Sequence, residues 1–149
     1  MDGAQMAGKR AKQSVGEVVA RGGETEKLTI NIGVVDLGQV DLLVQEGFYT
    51  NRTDMIRTAI RNQLAVHSEA VQRTVARRTL VLGLQHFSRE SLEDVRASRR
   101  MLQIQVLGLA RIADDVTPEL ARATIESVAV LGVFQASPAV RKALAGRIT

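Results

Sequence analysis

Lys27, Thr29 and Asn31 are the residues of this chain whose types and spacing best suit specific recognition. An ammonium, a hydroxyl and a carboxamide offer the donors and acceptors needed at base edges in a DNA major groove. Leu28, Ile30 and Ile32 alternate with them. A period of two puts the two sets on opposite faces of a β-strand over residues 27–32. Elsewhere the candidates for chemistry fall away. His67 and His86 have no second ligand at metal spacing. The chain has no cysteine, which excludes a thiolate site and a disulfide framework. Asp114-Asp115 reads as solvation around a helix start. Phosphate-binding glycine loops, dinucleotide fingerprints and nucleophile elbows are missing. No catalytic residue, cofactor or metal is expected.

A single strand cannot stand alone. Two helical patterns follow this one, so its partner strand is expected from a second copy of the chain. The first pattern has Val35, Leu37, Val40, Leu42, Leu43 and Val44 as its apolar stripe and stops at Gly47, a C′ glycine. Asn51 is the N-cap of the second, with Asp54 where a capping box places Glu. Met55, Ile56, Ala59, Ile60 and Leu64 share one face, Arg57 and Arg61 another. The periodicity runs on through Val71 and Val75 to about Arg78.

From Leu80 the pattern changes. Val81-Leu82-Gly83-Leu84, Val106-Leu107-Gly108-Leu109 and Val130-Leu131-Gly132-Val133 are variants of one tetrapeptide. A helix-start signal follows each: Ser88, Thr117-Pro118 and Ser137-Pro138. The second unit has extra residues around Asp114-Asp115. This predicts about three strand-turn-helix units with parallel strands and right-handed crossovers. Apolar residues on both strand faces, Ile104 and Val106 against Leu107 and Leu109, predict a sheet covered on both sides. The expected division is a flexible arm over 1–24, a dimerising unit over 25–78 and a repeat-containing unit over 79–149. The fold class is α+β.

The 149 residues carry 20 Lys and Arg against 16 Asp and Glu, a net charge of +4. Residues 27–62 hold four basic and four acidic side chains. A nucleic-acid contact there must rest on placed residues and not on charge density. No apolar run is long enough to span a bilayer. No apolar stretch follows Lys9, Arg10 and Lys12 as a secretory signal requires. A cytoplasmic, nucleoid-associated protein without a membrane contact is expected.

The alternating strand, Gly47-Phe48-Tyr49, the cap Thr50-Asn51-Arg52-Thr53-Asp54 and Ile56-Arg57-x-Ala59-Ile60-Arg61 occur in order within residues 27–65. Together they resemble a ribbon-helix-helix domain, the DNA-binding class of the MetJ, Arc and CopG-type repressors. The resemblance implies an intertwined homodimer whose two-stranded antiparallel ribbon enters the major groove of double-stranded DNA. Lys27, Thr29 and Asn31 would then face the bases. Asn51, Arg52 and Thr53 would contact phosphate, because a helix start offers free N–H groups and the positive dipole end. Leu28, Ile30, Ile32, Val35, Val40, Val44, Ile56, Ile60 and Leu64 would form the dimer core. Arg57 and Arg61 would pair within the dimer or flank DNA. The expected function is a transcriptional repressor, with residues 79–149 building a higher homo-oligomer or binding a partner. The alternatives are an antitoxin of a toxin–antitoxin pair and a DNA-anchored scaffold.

Overall fold

The computed structural model describes residues 24–149 and the short strand Glu17–Val18. The chain divides into two compact units: Thr25–Ala76, and Arg77–Thr149 together with Glu17–Val18 and Glu24. Apart from these, the arm expected over residues 1–24 lies outside the described residues.

The first unit holds helices α1 (Val34–Gln45) and α2 (Arg52–Val66) and most of α3 (Ser68–Arg77). Helix α1 starts after Gly33, which offers no side-chain cap. It ends in a Schellman motif. Gly47 takes a φ of +84°, its N–H reaches the Val44 carbonyl at 3.1 Å, and the Phe48 N–H reaches that of Leu43 at 3.0 Å. The helical run expected to reach Arg78 unbroken is interrupted at His67, which closes α2 before Ser68 opens α3. Residues 27–32, expected as a strand, make no strand pairing among the described residues. The cause is physical: an extended segment becomes a strand only against a neighbour.

In the second unit, β1 (Glu17–Val18), β2 (Val81–Phe87), β3 (Leu102–Ile112) and β4 (Ile125–Gln135) form one sheet in that order. β1 runs antiparallel to β2; β2, β3 and β4 are parallel. Helices α4 (Arg89–Ala97), α5 (Pro118–Thr124) and α6 (Pro138–Ala143) follow the three parallel strands in turn. The three tetrapeptides lie in register, so Gly83 pairs with Gly108 and Gly108 with Gly132. These glycines have φ of 125°, 139° and 122°. A Cβ on Gly108 would stand 2.1 Å from the Gly83 carbonyl oxygen, and one on Gly132 2.1 Å from that of Gly108. The close stacking of backbones therefore requires glycine at both positions. The three helix starts are alike as well. Ser88, Thr117 and Ser137 accept the N–H of the residue three ahead at 3.1, 3.2 and 3.2 Å.

Val81, Ile104, Val106, Val128, Val130, Phe87 and Ile112 meet Leu92, Leu120, Val140 and Leu144 from the helices in one core. The opposite sheet face is covered in part: Leu109 is buried, while Leu82 is 63% exposed and Leu131 49%. Among the described residues the helices cover one side of the sheet expected to be covered on both. Successive neighbouring strands joined by crossovers of one hand place all their helices on one face. A further parallel bridge joins Ile148 to Val128 beside β4.

Candidate nucleic-acid interface

Lys27, Thr29 and Asn31 are exposed, and so are Leu28, Ile30 and Ile32 between them, at 79%, 59% and 42%. An apolar face this open has no covering partner among the described residues. The same holds for the helices that follow. Ile60 and Leu64 are exposed, Val44 and Ile56 half-buried, and Val40 alone among residues 25–76 is buried. The residues expected to form a dimer core therefore do not form a core in one chain, and only Val40 is withdrawn from solvent.

The start of α2 is built with some care for its free N–H groups. The Asn51 side chain accepts the Asp54 N–H at 2.8 Å. The Asp54 carboxylate in return takes the Thr50 N–H and the Thr50 hydroxyl, both at 3.1 Å. This is a capping box with Asp in place of Glu, shifted by one residue on the return side. The Asn51 carbonyl accepts the Met55 N–H at 3.2 Å. The N–H groups of Arg52 and Thr53 are the remaining donors of this first turn.

Arg52 is not free. Its Nε and one terminal nitrogen donate to the two oxygens of Asp41 at 2.6 and 2.8 Å, a bidentate pair between α1 and α2. The hydrogen bond from Arg52 holds the Asp41 carboxyl below the usual aspartate range, and the bond to Asp41 raises Arg52. Asp41 was not legible as a site residue, because it lies eleven positions away on another helix and no local spacing joins it to Arg52. Arg57 and Arg61 are exposed and make no ion pair among the described residues. No group of three or more potential metal ligands occurs among the described residues. Nor is any helix among them long and apolar enough to cross a membrane.

Lys27, Thr29 and Asn31 thus share one exposed segment. Asn51, Arg52 and Thr53 sit together at one helix start, with the Asn51 side chain used as a cap and Arg52 held by Asp41. The family model for ribbon-helix-helix transcriptional regulators matches residues 23–141. The match takes in the exposed segment and α1–α3 and continues through the three strand-helix units into α6. Comparison with curated proteins and with solved structures gives no match. Regulators of this kind bind DNA and dimerise, and the matched span covers most of the chain: it belongs to the ribbon-helix-helix transcriptional regulator family.

Proposed function

We propose that the chain is a sequence-specific repressor that binds DNA as an intertwined dimer. Two copies pair their 27–32 segments as an antiparallel ribbon and set Lys27, Thr29 and Asn31 of both chains into the major groove. The observation that carries this reading is the unfinished state of the first unit. Val40 is its one buried residue, while Leu28, Ile30, Ile32, Ile60 and Leu64 face solvent. A unit of this size cannot be stable with so little burial, and contiguous exposed apolar surface marks an association site. Pairing the two strands into one ribbon, with the helices of both copies packed on its apolar side, covers the apolar strand face and leaves the polar face outward.

The N–H groups of Arg52 and Thr53, next to the Asn51 cap, supply a phosphate clamp on each side of the ribbon. This fixes the register of the protein on DNA, and the ribbon supplies specificity. Through residues 79–149 the dimers join into higher homo-oligomers. The exposed Leu82 and Leu131 support this, since with the half-buried Leu107 they form one registered row across three strands. Joined dimers gain avidity on tandem half-sites. The protein works in the cytoplasm, on the nucleoid. An antitoxin tail characteristically lacks a core until its partner binds. Here residues 80–144 include a core of their own, which favours the regulator.

Lys27→Ala and Asn31→Ala should each remove preference for the specific site, at a cost of about 1–3 kcal/mol per lost base contact, and leave the dimer intact. Competition gel shifts and sedimentation of the same samples measure both. Wild-type affinity and site preference in both variants would overturn the assignment.

A further inference from the structure

The carboxyl ends of β3 and β4 open onto a cavity of about 490 Å³, lined by Arg111, Ile112, Asp114, Gln135, Ala136 and Arg141. Ligands of parallel sheets bind outside these strand ends, and the volume suits a small molecule. Two guanidinium groups stand in its wall, and both are held in place. Arg111 Nε donates to Gln135 Oε1 at 2.8 Å. Arg141 donates to the Phe134 carbonyl and lies over the Phe134 ring, 5.4 Å from its centroid. Donors fixed in advance lose little freedom when a ligand arrives.

Arg111 already holds a carboxylate. One of its terminal nitrogens donates to Glu24 Oε1 at 3.2 Å. Both side chains of this pair are more than two-fifths exposed, at 41% and 45%. Such a contact is weak and exchangeable. The remaining polar group in the wall is Asp114, which can only accept. A matching ligand therefore presents a carboxylate to the arginines and a hydrogen-bond donor to Asp114.

We propose that this cavity binds a small carboxylic acid bearing a hydroxyl or ammonium group, which takes the place of Glu24 on Arg111. Glu24 stands three residues before Lys27. Its release frees the segment that leads into the proposed ribbon, so the same exchange would let the ligand act on DNA binding. That coupling rests on the reading of the ribbon given above; the binding itself does not.

The test is calorimetric titration of the full chain with L-malate and with L-glutamate, inorganic phosphate serving as the comparison. At least one of the two acids should bind with a Kd below about 1 mM, and more tightly than phosphate. Arg111→Gln should weaken it about tenfold or more. Glu24→Gln removes the internal competitor and should tighten it roughly two- to fivefold. Arg111→Gln could disturb the fold, but Glu24→Gln changes an exposed residue and moves affinity the other way, so the pair remains decisive. Failure of both acids to bind, stronger binding of phosphate, or equal affinity in Glu24→Gln and wild type would overturn the proposal.

Discussion

Arg52 has one partner in the single chain and, in the proposed complex, a second. In the free chain its guanidinium is taken by both oxygens of Asp41. At a helix start that faces phosphate, a second anion competes for the same donors. Asp41→Asn should free Arg52 for DNA. Non-specific affinity should then rise, and the fall of log K with log salt should steepen by about one phosphate contact. An unchanged slope would mean that Arg52 serves only to tie α1 to α2. The pair also has a pH signature. The Asp41 pKa in the folded chain lies below the ordinary 3.8. A depressed carboxylate adds stability above its ordinary pKa and loses it as pH falls through the lower folded value. The effect is small because the pair is exposed.

Among the elements, the glycine row of the sheet is the most constrained. Gly108 combines a φ of +139° with a carbonyl oxygen 2.1 Å from where its Cβ would be. Gly108→Ala should cost about 3 kcal/mol or more, read as a lower denaturation midpoint of the C-terminal unit; a loss under about 1 kcal/mol would contradict the strand register. This row was legible in the sequence because backbone crowding demands the same residue at each repeat. The Ser88, Thr117 and Ser137 caps were legible for a similar reason, since a cap is read from one residue and its local spacing. Ile125 was not. It continues the apolar pattern of α5, yet β4 begins there with no intervening loop. An apolar residue at such a junction satisfies either period. β1 was missed because a two-residue strand has no periodicity to read. Apolar residues on both strand faces say that both should be covered, not what covers them, so the exposure of Leu82 and Leu131 was not legible.

At the scale of the whole molecule, the chain joins a unit with its own core to one that lacks it. The C-terminal unit buries Leu92, Val106, Val128 and Val140 completely or nearly so; the N-terminal unit buries Val40. Stability of the C-terminal unit should therefore be local and that of the N-terminal unit should follow mass action. On dilution, amides of α1 and α2 should lose protection from hydrogen exchange while those of β3 keep theirs. Equal protection at all concentrations would mean that residues 25–76 fold without a partner. Here too the sequence was informative for a stated reason: residues 27–62 balance four basic and four acidic side chains, so the proposed recognition through a two-chain ribbon rests on placed residues and not on charge density. The most direct test of that claim is selection of bound sequences from random DNA by wild-type protein and by a Lys27→Ala/Asn31→Ala double variant. The wild type should enrich short repeated half-sites, and the double variant should enrich none. No enrichment by wild type, or the same motif from the double variant, would contradict recognition through the ribbon.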